Sequence, residues 1–186
     1  FAVGKCDKVI DFAYQVQSDF KKFTGCDDIT ISAGVEIVNP KFPIAKAALM
    51  TGEAEEKAKS YCYGDQKKNA ISLFGIPINW DKEFGKVVEW KNKFSKWLKD
   101  ETITKGLLMK LLGYYEQWIA SEKRDLSWKW NAAYNLARRR SIVKDENKKK
   151  ALDEIKTLLF TEINENHFRF DALAVALRWT ELKNRK

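Results

Sequence analysis

Histidine is almost absent: the 186-residue sequence contains one, His167. That one imidazole falls in a tail that reads as all-helical and lacks partners, so no Ser–His–Asp or Cys–His nucleophile system is expected, and His167 reads as a surface or helix-packing residue. Cysteine is scarce as well. Cys6, Cys26 and Cys62 are odd in number and widely spaced, and no CxxC occurs. That excludes a disulfide framework and a CxxC-based zinc site, and it suits a reducing cytoplasm. No apolar run approaches the ~18 residues of a membrane-spanning helix, so no membrane is expected among the partners. Arginine is missing from residues 1–75, where ten lysines face ten acids. The remaining 24 cations face 16 acids, so the whole net charge of +8 falls in residues 76–186. This split predicts a domain boundary near Gly75. It makes the second part the contact for nucleic acid or an acidic partner, unless the lysines only solvate a surface.

Hydrophobic residues make up 45% of the chain, enough to build a core in one domain or two small ones. The first part is organised around Ile29–Val38, which alternates apolar and polar residues and is rich in β-branched side chains. That is the pattern of a half-buried strand, with Gly34 marking a bulge or a close backbone approach. Before it, Val9, Phe12, Ala13, Val16, Phe20 and Phe23 recur at helical spacing, which predicts an amphipathic helix from about Asp7 to Phe23, closed by Gly25. Phe1–Gly4 reads as the end of a buried strand, so the chain is expected to be a fragment of a longer domain. Asp27 and Asp28 read as turn formers leading into the central strand. After Pro40 and Pro43, a helix is predicted from about Ile44 to Tyr61, with Ala45, Ala47, Ala48, Ala54 and Ala58 allowing close packing on a sheet. Gly64–Lys68 reads as a polar turn, Asn69–Phe74 as a short strand, and Gly75–Pro77 as the end of the unit.

From Trp80 onward the pattern is helical throughout. Asp81 is a candidate cap for a helix reaching Leu98, and Thr102 for the next. Asp125 or Ser127 opens a third, with Trp128, Trp130, Ala133, Tyr134 and Ala137 as its apolar stripe. Leu152, Ile155, Leu159 and Ile163 mark a fourth, and Phe170, Leu173, Leu177 and Trp179 a fifth. Five such stripes can bundle. Six of the seven tryptophans lie between Trp90 and Trp179, as core residues or as platforms for stacking on bases. Two basic runs stand out. Arg138, Arg139 and Arg140 sit near a helix end, where cations suit the dipole, whereas Lys148, Lys149 and Lys150 open a helix, where they do not. They offer phosphate or acidic-partner contact against a plain role in solubility.

The helix ending in Ala58-Lys59 and the strand opening with Lys68-Asn69-Ala70-Ile71 resemble the second half of a GGDEF-type cyclase palm. A lysine at a helix end and another at a strand start can both reach a triphosphate. Ser32-Ala33-Gly34, Asn39–Ile44, Glu55–Lys59 and Lys68–Gly75, with a helical tail from Trp80, resemble the large subunit of type III CRISPR–Cas effector complexes of the Csm kind. The resemblance implies an α+β fold. Residues 1–75 form part of a ferredoxin-like second palm, and residues 76–186 an all-α helical domain. It implies an intact subunit that makes cyclic oligoadenylate from ATP with Mg²⁺ when target RNA binds, and that cuts single-stranded DNA with an HD nuclease. The Gly-Gly-Asp-Asp motif that holds the metal in that family is absent, so no catalytic residue and no metal ligand is assigned to this chain. What carries over is nucleotide contact. Ser32 and Gly34 would lie under the base or sugar, and Lys59 and Lys68 would neutralise the triphosphate. The implied partners are the other subunits, especially the small subunits docked by the helical domain, the guide and target RNAs nearby, and the missing N-terminal part of the polypeptide. The rival readings are a standalone signalling cyclase and a non-catalytic protein-interaction module.

Overall fold

Two units form, Phe1–Gly85 and Lys86–Lys186. The structure, a computed structural model, describes residues 1–163, 165 and 168–184, and His167 lies outside the described residues. The first unit extends ten residues past Gly75 because the chain turns back there. Phe74 and Gly75 both take left-handed backbone, at φ 55° and 76°. That is what a tight two-residue hairpin loop requires.

In the first unit α1 (Cys6–Thr24) ends at Gly25, whose φ of 57° lets its amide donate back to Lys21 O. β1 (Ala33–Val35) is followed by α2 (Ile44–Ser60) and a small hairpin of β2 (Cys62–Tyr63) and β3 (Gln66–Lys67). β4 (Ala70–Leu73) and β5 (Ile76–Asn79) complete a three-stranded sheet in the order β1-β4-β5. β1 pairs parallel with β4, Gly34 opposite Ser72, while β4 and β5 are antiparallel. α2 is therefore the crossover of a βαβ unit, as parallel pairing demands.

Several expectations shift. The stretch Ile29–Val38 forms only three ladder residues, because β1 is an edge strand that pairs on one side among the described residues. Phe1–Gly4 is not a strand, and Phe1 and Val3 are exposed. Residues 64–68 include β3 rather than a simple turn. On α1 the predicted apolar stripe is split: Val9, Ala13 and Phe20 are half-buried, while Phe12, Val16 and Phe23 are exposed. Ile10 and Gln17, two turns apart, are buried, while Phe12 and Phe23 are exposed, Phe23 at 90%. α2 buries Ala47, Ala54 and Ala58, leaving Ala45 and Ala48 at the surface.

α3 (Gly85–Lys99) starts on the last residue of the first unit, and the second unit holds the rest of it with α4 (Lys105–Ala120), α5 (Ser127–Ile142), α6 (Glu146–Thr157) and α7 (Phe170–Lys183). α7 is its central rod: Ala172 through Leu177 are buried without interruption. A helix apolar all round belongs in the middle of a bundle. α4 packs on α7, α5 on α4 and α6 on α5. The caps differ from the predicted ones. Thr104, not Thr102, accepts from the Leu107 amide at 3.2 Å. Asn79, not Asp81, caps the π turn Trp80–Phe84 through bonds from the Asp81 and Lys82 amides at 3.0 and 2.9 Å. α5 also differs: it buries Trp128, Ala132 and Leu136, while Trp130 and Tyr134 are exposed.

Candidate nucleotide site and basic helical surface

The parallel pair β1/β4 fixes where the predicted contacts lie. Ser32 sits one residue before the first paired position of β1, and Lys68 two residues before β4. α2 runs back between these strands, so its last turn, with Lys59, returns to the edge where both strands begin. The β2–β3 hairpin closes the gap: the Lys68 amide donates to Tyr61 O at 3.0 Å. Lys59, Lys68 and Ser32 thus belong to one end of the βαβ unit.

Their environments are unequal. Lys59 is half exposed and holds Glu55 at 3.0 Å and Glu56 at 3.3 Å. The hydrogen bonds to Glu55 and then Glu56 push its ammonium pKa up, so it stays charged at any physiological pH. Exposed pairs within one helix are weak, so Lys59 can exchange a carboxylate for a phosphate at little cost. Lys68 is exposed and has a left-handed φ of 63°. Ser32 Oγ is buried without a hydrogen-bond partner among the described residues. Gly34 has a packing reason of its own. A Cβ there would run into the Glu55 amide nitrogen and lie 2.6 Å from Thr51 O, so only glycine lets α2 lie this close to β1.

The residue beside Lys68 is the one that sequence reasoning passed over. Asn69 is buried at φ 52° and donates from Nδ2 to Asp81 Oδ2 at 2.8 Å. Its carbonyl accepts from the Trp80 amide at 3.0 Å, and the Trp80 indole donates to Ile31 O at 3.2 Å. Asp81 also holds Lys21 at 3.1 Å, and that bond raises the Lys21 pKa. Glu83 accepts from Tyr61 Oη at 3.0 Å and from the Asn79 amide at 2.9 Å. This network clamps the start of β4 to the end of β5.

A triphosphate fits the lysines here, since both are flexible cations at one edge. Among the described residues no group of three or more His, Cys, Asp or Glu is arranged to hold a metal ion.

In the helical unit the basic runs are partly engaged. Arg140 Nε donates to Asp153 Oδ1 at 2.7 Å, tying α5 to α6. Lys149 pairs with Glu146 at 2.8 Å within α6. Arg138 and Lys150 are exposed, and Arg139 and Lys148 are half-buried. No described helix is long and apolar enough to cross a membrane.

Residues 1–72 match the family model of the Cas10/Cmr2 second palm domain. A Methanocaldococcus jannaschii protein named CRISPR system single-strand-specific deoxyribonuclease Cas10/Csm1 (subtype III-A) is 43% identical over 89 residues, covering 44% of this chain and 11% of that protein. A protein of the same name from Mycobacterium tuberculosis is 36% identical over 93 residues, 49% of this chain and 11% of its own length. The one from Streptococcus thermophilus is 26% identical over 170 residues, which reaches 89% of this chain and 21% of that protein. The chain thus spans from about a tenth to a fifth of the length of these relatives. The match of residues 1–72 to the Cas10/Cmr2 second palm, with these relatives, supports a fragment of a Cas10-type large subunit.

Proposed function

We propose that this chain supplies the triphosphate-facing half of a nucleotide-cyclising, ferredoxin-like palm, and a helical docking unit, to the large subunit of a type III-A effector complex. The observation that carries the reading is the convergence of Lys59 and Lys68 at one end of a βαβ unit within the segment that matches the second palm. The intact subunit would make cyclic oligoadenylate from ATP with Mg²⁺ in response to target RNA, in the cytoplasm. Its metal ligands and its single-strand DNase would lie elsewhere in the polypeptide. Phosphoryl transfer is mainly charge stabilisation, so fixed cations at the triphosphate are what this half contributes. Gly34 acts indirectly, by letting α2 approach β1 and so setting where Lys59 ends. Because Ser32 Oγ is already covered, any contact from Ser32 to a base or sugar is secondary to the lysines.

Two surfaces support the larger assembly. The exposed stripe of Phe12, Val16 and Phe23 on α1, with the open edge of β1, fits a face that further palm polypeptide covers. The exposed cations of the helical unit, Arg138 and Lys150 first among the basic runs, fit contacts to small subunits or to the guide–target duplex.

The test uses full-length subunit assembled into its complex, carrying Lys59→Ala and Lys68→Ala together. ATP dependence of oligoadenylate synthesis is the readout. Losing two charge-assisted contacts should raise the KM for ATP about tenfold or more, with assembly unchanged. An unchanged KM would remove the nucleotide role and leave the interaction-module reading.

A further inference from the structure

Lys59 and Lys68 are held by different means. Two carboxylates of its own helix hold Lys59. Lys68 is exposed, so the direction it takes is set by its backbone. That backbone lies in the left-handed region at φ 63°, and Asn69 follows it there at 52°. Two consecutive residues with a Cβ do not stay left-handed unaided. What holds them comes from the π turn Trp80–Phe84, outside the 1–72 segment that matches the palm. The Trp80 amide donates to Asn69 O at 3.0 Å, and Asp81 Oδ2 accepts from Asn69 Nδ2 at 2.8 Å. The Trp80 indole donates to Ile31 O at 3.2 Å, one residue before Ser32. Trp80 and Asp81 thus fasten the entries of both strands that carry predicted nucleotide contacts.

Asp81 is itself held in place. Its amide and that of Lys82 donate to Asn79 Oδ1 at 3.0 and 2.9 Å. Its Oδ1 accepts from Lys21 Nζ at 3.1 Å. Trp80 beside it is buried and packs on Phe84, ring centroids 4.9 Å apart. Asn69 is 2% exposed, so its amide is oriented by its acceptor rather than by water.

From this we infer that Asp81 is a positioning residue for the triphosphate: through Asn69 it fixes the left-handed step that aims Lys68. The inference rests on the reading that Lys68 meets the triphosphate. Both carboxylate oxygens of Asp81 are engaged, one by Asn69 and one by Lys21, so it acts through other residues rather than on a nucleotide. The Lys21 ammonium also offsets a negative charge that would otherwise oppose a phosphate nearby. A clamp that served stability alone would need no strained residues. This one holds two, and one of them is the lysine whose aim depends on it.

The test uses the full-length subunit assembled into its complex, with oligoadenylate synthesis followed over a range of ATP concentrations. Lys68→Ala, Asp81→Ala and the double variant are compared. Each single variant is expected to raise the KM for ATP by the same factor, about threefold or more, with kcat within about twofold of the parent. The double variant should match Lys68→Ala alone, since a residue that acts through Lys68 then has nothing left to aim. Asp81→Asn keeps an acceptor for Asn69 and should recover most of the loss. Asn69→Gly removes the side-chain bond at a position whose left-handed φ suits glycine, and it carries the same test if Asp81→Ala fails to assemble. A raised KM in Lys68→Ala with parental values in Asp81→Ala and Asn69→Gly overturns the inference and leaves the triphosphate reading intact. Losses that multiply in the double variant overturn it too, because Asp81 then acts independently of Lys68. A parental KM in Lys68→Ala overturns the triphosphate reading for that lysine and this inference with it.

Discussion

Lys68 and Asn69 occupy adjacent left-handed backbone positions, at φ 63° and 52°. For a residue with a Cβ this costs on the order of 1 kcal/mol, least for asparagine. The conformation persists because three bonds over-determine it: Lys68 N to Tyr61 O, Trp80 N to Asn69 O, and Asn69 Nδ2 to Asp81. Strain held in place this way fixes the direction in which Lys68 leaves the sheet, which a phosphate-binding residue needs. Lys59 is set differently, by two carboxylates it can release. The sequence singles out both lysines only by their places at a helix end and a strand start. The clamp is not, because a lone asparagine beside a lysine gives no sign that Asp81, twelve residues on, will bury it. Glu36 is a separate case. Burial pushes its carboxyl pKa above the ordinary 4.5, Lys57 pulls it part of the way back, and Glu53 raises it again. The folded state thus holds this proton more tightly than the unfolded chain. Its stabilising effect is complete in acid and is lost as pH rises from about 4.5 through the raised value. Glu36→Gln should therefore have a higher thermal midpoint than the parent near neutral pH, with the gap closing in mild acid. Parallel midpoint curves across that range would show that burial of Glu36 carries no such cost.

The helices read well from sequence and their faces read poorly. α1 runs Cys6–Thr24 against a predicted Asp7–Phe23, since length and glycine stop are local properties. Which face turns inward is decided by what else is present to pack. Phe12, Val16 and Phe23 form the better apolar stripe, yet Ile10 and Gln17 are the buried pair, and Tyr14 stacks on Phe84 at 5.2 Å. α5 repeats this with Trp130 and Tyr134. The extended stretch before and after β1 is likewise strand-like in pattern, but a ladder needs a second partner to lengthen it. The β1–α2 contact is the tightest local feature. Gly34→Ala should destabilise the first unit by about 3 kcal/mol or more, at the top of the range for overpacking, because the obstruction is helix backbone that cannot rotate away. Chemical denaturation of the parent and the variant measures this, and a change within about 0.5 kcal/mol, as at an open surface position, would mean that α2 can shift freely.

Across the whole molecule, charge and chemistry divide between the two units. The first balances ten cations with ten acids through residue 75, consistent with a segment that presents a few placed lysines rather than a basic field. Residues 76–186 carry the entire net charge of +8, with carboxylates that pair only part of the basic runs. The point of division moved from Gly75 to Gly85 because β5 pairs back onto β4, and a four-residue strand containing Pro77 gives little warning of that. The central claim is that this palm half grips a triphosphate with Lys59 and Lys68. The most direct measurement is a structure of the full-length subunit in its complex with a non-hydrolysable ATP analogue. The account predicts phosphate oxygens within about 4 Å of both ammonium nitrogens, with Lys59 released from Glu55 and Glu56. A triphosphate bound elsewhere, with Lys59 still paired to its own helix, would contradict it.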